Sequence, residues 1–196
     1  MRQSVLAVLI LSAGCVDALK SEYPERRFYT LSAQRPGEAA APGKEAVLRV
    51  RRFTASKLSE GNELVSRLGE TEYETDFYNC FFAPPATQVT EQAHRWLGAS
   101  GLFSAVVGTG SSLPETHILE GNVTALFADQ RASTAVLEIQ FMLVRVTTDP
   151  PAVLFQKSYR EVATGAQGPE TSVRGWNAAL GRILAALEGD LAKVKK

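Results

Sequence analysis

His117-Ile-Leu-Glu-Gly-Asn-Val-Thr-Ala-Leu-Phe-Ala128, then Asp129-Gln-Arg-Ala-Ser133, then Thr134-Ala-Val-Leu-Glu-Ile-Gln-Phe-Met-Leu-Val-Arg-Val146 is the stretch on which the fold turns. Two long β-type runs flank five turn-forming residues. In the second run Ala135, Leu137, Ile139, Phe141 and Leu143 recur at every other position, with Glu138 and Gln140 opposite, later joined by Met142 and Val144. That period of two predicts a strand with one face buried along its whole length. At about 3.3 Å per residue each run would extend close to 40 Å, so the stretch reads as an extended hairpin. Met142, Val144 and Val146, apolar on the polar side of their strand, mark where a partner, a lipid or another element of the domain would sit.

Outward toward the C-terminus, Pro150-Pro151 closes the second run and Val153 to Val162 supplies a further strand. After the loop Gly165 to Pro169, Thr171 or Ser172 is the expected N-cap of a last helix. Its apolar stripe is Val173, Trp176, Leu180, Ile183, Leu184, Leu187 and Leu191. Outward toward the N-terminus, Phe103 to Val107 makes a short strand. From Thr87 to Gly101 the positions Val89, Ala93, Trp96 and Leu97 recur at helical spacing, leaving Gln88, Glu91, Gln92 and Arg95 for solvent. Glu63 to Leu68 and Glu72 to Phe77, separated by Gly69-Glu70, read as a hairpin. Ala46 to Phe53 alternates, with Val47, Arg49, Arg51 and Phe53 on one side and Leu48, Val50 and Arg52 on the other. Ser32 to Lys44, with its prolines and glycines, predicts a loop or mobile crossover, and Phe28 to Leu31 a short strand.

Two amphipathic helices and six to eight strands argue for an α+β domain: a mixed, largely antiparallel sheet with both helices packed on one face. The chain has 196 residues, 45% of them hydrophobic, with 21 Lys+Arg against 21 Asp+Glu. That suffices for one domain with a core and excludes a disordered protein. A neutral balance without a basic block offers nucleic acid no footprint.

Ahead of the domain, Met1-Arg2-Gln3 is positively charged, Val5 to Leu11 is apolar, and Ser12-Ala13-Gly14 are small residues ending at Cys15. This is the layout of an export signal, and the apolar run is far shorter than the roughly 20 residues needed to span a bilayer. Leu11-Ser12-Ala13-Gly14-Cys15 resembles a bacterial lipobox, with Ser12 at the place usually held by Leu. The resemblance implies cleavage between Gly14 and Cys15 and attachment of a diacylglycerol to the Cys15 thiol. Two or more acyl chains hold a protein on a membrane without a helix. The expected organisation is a lipoprotein signal peptide over 1–14, a tether over 15–27 and a single domain over 28–196. By the sorting pattern of enterobacterial lipoproteins, Val16 directly after the cysteine favours the outer over the inner membrane, on its periplasmic face. Cys80, the other thiol, lies in the run Phe77-Tyr78-Asn79-Cys80-Phe81-Phe82 and is expected to be buried and inert.

No nucleophile elbow, phosphate loop or multi-ligand metal site is readable. His94 falls on the first helix and His117 opens a strand, neither paired with a serine. Glu74 and Asp76 stand two apart on a strand, a geometry that paired carboxylates could use, but a solvated hairpin face is the favoured account of them. Gly108-Thr109-Gly110 lacks the third glycine and the Lys-Ser/Thr of phosphate loops and reads as a turn. Neither a catalytic residue nor a metal or other cofactor is expected.

In order along the chain, Cys15, Phe28-Tyr29-Thr30-Leu31, Leu48-Arg49-Val50, Tyr73-Glu-Thr-Asp-Phe-Tyr78, Pro84-Pro85, Trp96-Leu97, Ser100-Gly-Leu-Phe103, Leu119-Glu-Gly-Asn-Val123 and Ala135-Val-Leu-Glu-Ile-Gln-Phe141 resemble the ABC-type transport auxiliary lipoprotein component family. Its members are small periplasmic lipoproteins that accompany lipid transporters of the mammalian-cell-entry (MCE) type. The resemblance implies a mixed sheet backed by two helices and a non-enzymatic role, assisting an ABC transporter that moves lipid or other hydrophobic cargo across the envelope. MCE-domain and ABC subunits are the implied partners, a homo-oligomer is compatible, and ATP hydrolysis belongs to other subunits. Two alternatives share parts of this reading: an assembly lipoprotein that binds an outer-membrane β-barrel, and an envelope-anchored hydrolase using Glu74 and Asp76 or His94.

Overall fold

The computed structural model describes residues 25–43 and 45–194. The expected signal peptide, its expected cleavage site at Gly14 and Cys15, and the expected tether up to residue 24 lie outside the described residues. Among the described residues nine strands form one mixed sheet with two α-helices. The strands are β1 (Arg27–Tyr29), β2 (Val47–Val50), β3 (Thr54–Ala55), β4 (Glu63–Arg67), β5 (Tyr73–Phe81), β6 (Ala105–Val107), β7 (His117–Asp129), β8 (Thr134–Arg145) and β9 (Ala152–Thr164). The helices are α1 (Pro85–Gly98) and α2 (Pro169–Leu191).

The hairpin read from the sequence is the spine. β7 pairs antiparallel with β8 from His117↔Arg145 to Asp129↔Thr134, and β8 pairs antiparallel with β9 along its whole length. The other edge of β7 is shared by three short parallel partners in succession: β2 at its start, β3 at its middle and β4 at its end. From these the sheet continues to β6 beyond β2, and to β5 and then β1 beyond β4. The long ladders are antiparallel and the short ones parallel, which makes the sheet mixed.

Both helices cover one face. Leu137, Ile139, Phe141 and Leu143 of β8 are buried with Leu119, Val123 and Leu126 of β7 against the whole predicted stripe of α2. Trp176 is fully buried, and its indole Nε1 donates to the carbonyls of Val136 at 3.1 Å and Phe127 at 3.4 Å. A buried indole N–H left without an acceptor would cost about 1–3 kcal/mol. The helix comes this near the sheet because Gly175 has no side chain: a Cβ there would lie 2.7 Å from the Ala135 Cβ. Met142 and Val144 on the opposite face are half-buried.

Four expectations need correction. Phe53 is buried together with Leu48 and Val50, not opposite them. The strand ends at Val50, Arg51 N–H still bonds the Leu119 carbonyl, and Phe53 N–H turns to Thr90 Oγ1 at 3.0 Å. Two irregular residues thus reset the alternation, and the ring lies over Gly121, where a Cβ would meet it at 2.7 Å. Gln88 and Gln92 are not solvent residues, each being only 6% exposed. Gln88 Oε1 accepts from Leu31 N–H, and Gln92 accepts from Ala33 N–H and donates to the Leu31 carbonyl. These two amides replace the sheet partners that the backbone after β1 lacks. For the same reason the predicted mobile crossover is tied down: Ala40 N–H bonds the Ala99 carbonyl, Gly43 N–H bonds that of Phe103, and Arg35 pairs with Glu188. Finally, α2 starts three or four residues earlier than expected, with Gly168 as N-cap. Thr171 sits in the first turn, where its hydroxyl accepts the N–H groups of Gln167 and Gly168 and donates to the Gly168 carbonyl.

Candidate functional site: an exposed aromatic edge

The β4–β5 hairpin is regular from Arg67↔Tyr73 to Leu64↔Asp76, after which Glu63 is opposite Cys80. Phe77, Tyr78 and Asn79 therefore have no partners in β4. Asp76 shapes this bulge: its Oδ1 accepts the N–H groups of Tyr78 at 2.9 Å and Asn79 at 3.0 Å, and its Oδ2 accepts from Asn79 Nδ2 at 2.7 Å. A carboxylate that satisfies its own following backbone is a turn-forming group. Asp76 is thereby engaged in local structure while Glu74 stands exposed.

Beyond the bulge β5 exchanges partners and pairs in parallel with β1, Arg27↔Asn79, Phe28↔Cys80 and Tyr29↔Phe81. Phe81 points into the core, its ring centroid 5.7 Å from that of Trp176. Cys80 and Phe28 take the other face, which carries no helix. Cys80 is fully buried there, as expected from the sequence, beneath the Arg26 guanidinium, whose Nη2 lies 3.1 Å from the sulfur. Arg26 Nε donates to the Phe77 carbonyl at 3.1 Å, and its guanidinium carbon lies 4.7 Å from the Phe77 ring centroid and 5.7 Å from that of Phe28. Phe28 meets Phe82 edge-on at 6.3 Å, and Phe77 meets Tyr78 edge-on at 5.3 Å.

The outcome is four rings gathered around one cation and left in solvent: Phe28 is 57% exposed, Phe77 63%, Tyr78 42% and Phe82 74%. Scattered apolar side chains are ordinary on a surface, but a contiguous cluster of large rings marks an interaction surface. A cleft of about 450 Å³ adjoins it, between the hairpin and the start of α2, with Glu74, Phe77, Tyr78, Gln130, Pro169 and Trp176 on its walls.

The remaining sequence candidates are dispersed. His94 lies on the wall of a separate cleft of about 390 Å³ under α1, with Arg52, Glu91 and Arg95. The Thr90 hydroxyl nearby is spent between Phe53 N–H and the Ala86 carbonyl. His117 Nδ1 is 2.8 Å from Thr116 Oγ1, and burial, helped by the Arg145 charge, lowers its pKa. Thr116 in turn bonds both the N–H and the carbonyl of Val47. The Gly108–Gly110 turn aims carbonyls inward: Arg49 donates to those of Gly108, Ser111 and Leu113 and to the Glu115 carboxylate, whose pKa is lowered chiefly by that bond. A loop folded around a guanidinium presents the wrong polarity for phosphate. Among the described residues no three His, Cys, Asp or Glu side chains are grouped to hold a metal, and no helix is long and apolar enough to cross a membrane.

Period counting alone does not reveal the aromatic edge, because Phe77–Phe82 reads as one aromatic run. The visible signal was six residues with five apolar or aromatic side chains, too many for a strand with one covered face to bury.

No protein-family model matches the chain, and no curated protein does. Solved structures do. A Xanthomonas campestris protein assigned to a family named DUF330 aligns over 85% of this chain and 95% of its own, at 15% identity and a TM-score of 0.72. An uncharacterized protein aligns over 85% of this chain and 99% of its own, at 14% identity and a TM-score of 0.67. A PelC dodecamer from Paraburkholderia phytofirmans aligns over 78% of this chain and 95% of its own, at 14% identity and a TM-score of 0.49, too slight a likeness to bear on how this chain assembles. The first two share the fold of this chain nearly end to end, and the likeness extends to the fold alone.

Proposed function

We propose that the chain is a lipid-anchored, non-enzymatic accessory subunit of an ABC-type transporter of the MCE class, held on the periplasmic face of the envelope and there assisting the movement of lipid or another hydrophobic cargo. The outer membrane is the favoured location, and a homo-oligomer is compatible with the role. The observation that carries the reading is the lipobox-like Leu11–Cys15 segment placed a short tether ahead of a domain in which several charged side chains are engaged in structural bonds. Asp76 closes a bulge, and Arg49, Arg35 and Asp190 pair with neighbours. The Thr116 hydroxyl beside His117 is bound to the Val47 backbone, and the Thr90 hydroxyl near His94 is spent between Phe53 N–H and the Ala86 carbonyl, an arrangement suited to binding and not to bond making. Order supports it too: the stretches resembling the auxiliary lipoproteins fall on β1, β2, β5, α1, β7 and β8, the framework of the sheet.

Affinity purification of the full chain from native envelopes in mild detergent tests the proposal. An MCE-domain protein together with an ABC permease or ATPase in the eluate is the expected result. A β-barrel as the sole partner would replace it with the assembly-lipoprotein reading.

A further inference from the structure

We propose that the Phe28/Phe77/Tyr78/Phe82 edge is a membrane-seating surface that rests in the headgroup–acyl boundary of the bilayer holding the anchor. The inference rests on the anchored reading above and adds an orientation to it: the β1–β5 edge is turned toward the lipid.

Three observations carry it. Four rings are exposed together at the β1–β5 edge, three of them more than half. They surround Arg26, whose cationic head sits above two of the rings, with Arg27 exposed beside it. Aromatic side chains edged by arginine suit the interface, where ring bodies enter the acyl boundary while the cation reaches phosphate. Anionic lipid adds an attraction for each such cation. The third observation is position. Arg26 is the residue through which the chain enters the domain, and only ten residues separate it from Cys15. Even fully extended, that length spans at most roughly 40 Å, so an anchored domain keeps this edge within reach of the surface. The other long edge, β9, carries Lys157, Arg160 and Glu161, and Arg182 of α2 donates to its Val162 carbonyl, so it is charged where the β1–β5 edge is greasy.

The test uses the mature chain purified from envelopes and reconstituted into vesicles of phosphatidylethanolamine with a minority of phosphatidylglycerol, part of the lipid carrying brominated acyl chains. The native indoles of Trp96 and Trp176 are at most 4% exposed and give a background that bromine does not reach. Phe77→Trp and Phe82→Trp should each add a fluorescence that brominated lipid quenches by about twofold, whereas Val153→Trp, an exposed site on β9, should not be quenched. The mass of the N-terminal peptide is read on the same samples. Acylated protein with unquenched Phe77→Trp and Phe82→Trp overturns the seating surface and leaves the anchor intact. Unacylated protein that is nonetheless quenched removes the anchor and keeps the surface. Loss of exposure at the two sites without quenching, in step with a concentration-dependent rise in mass, assigns the patch to a second copy of the chain and overturns the proposal.

Discussion

Trp96 on α1 and Glu188 on α2 are joined by a 2.7 Å hydrogen bond from the indole Nε1 to the carboxylate Oε2, and Arg35 grips both oxygens of the same carboxylate, at 2.8 and 3.0 Å. One side chain thus fastens the two helices to each other and to the crossover between β1 and β2. The Arg35 bond, supported by that from Trp96, holds the Glu188 carboxyl below the ordinary glutamate range against the opposing effect of burial. A carboxylate whose pKa is depressed by folding stabilises the fold above its unfolded value of about 4.3, and that stabilisation fades as the pH falls through the folded value.

Glu188→Ala should therefore lower stability by about 1–3 kcal/mol at neutral pH, because it removes a charge-assisted pair and leaves a largely buried indole N–H without its acceptor. Urea unfolding followed from pH 7 to pH 3 checks this: the gap between wild type and variant should narrow below about pH 4. Asp190, held low chiefly by Lys157 with help from Lys193 and Tyr159, loses its stabilising role in the same direction.

Gly175→Ala sets two effects of opposite sign against each other. Alanine gains about 1 kcal/mol of helix propensity over glycine. Its methyl group would lie 2.7 Å from the Ala135 Cβ and 3.3 Å from that of Ala163, both fixed to the sheet backbone. Overpacking of that kind costs about 1–3 kcal/mol, so a net loss in thermal unfolding is expected. Gly181→Ala, with open space around its Cβ, is the control and should stabilise.

The sheet's long strands and the α2 stripe were legible because each repeats one period over many residues, so a local error is outvoted. His117–Asp129, Thr134–Arg145 and the buried Trp176–Leu187 row follow from alternation and helical spacing alone. What stayed illegible depends on partners distant in sequence. Gln88 and Gln92 look like solvent residues until Leu31 and Ala33 arrive from some 60 positions away. The bulge that ejects Phe77 and Tyr78 hinges on Asp76 bonding its own backbone, which period counting treats as one more strand residue.

Cys80 should resist modification. With no solvent exposure and a guanidinium 3.1 Å from its sulfur, it is shielded as well as buried. Ellman's reagent should leave it unmodified in the native chain on the timescale of minutes and titrate it fully in denaturant. Arg26→Ala, which uncovers that sulfur, should speed the native reaction.

Phe82→Ser should leave the fold intact. The ring is 74% exposed and its one aromatic neighbour among the described residues, Phe28, is itself more than half exposed, so the change belongs with surface substitutions that alter stability by about 0.5 kcal/mol or less. Phe81→Ser, one residue earlier and 1% exposed against Trp176, should cost several-fold more. Paired melting curves of the two variants give the comparison.

Trypsin digestion of the mature native protein, with mass spectrometry of the peptide Cys15-Val-Asp-Ala-Leu-Lys20, tests the anchored account most directly. The account predicts a peptide that begins at Cys15 and carries a diacylglyceryl group on its sulfur. A chain that still retains Met1–Gly14, or one that begins elsewhere with an unmodified cysteine, would contradict it.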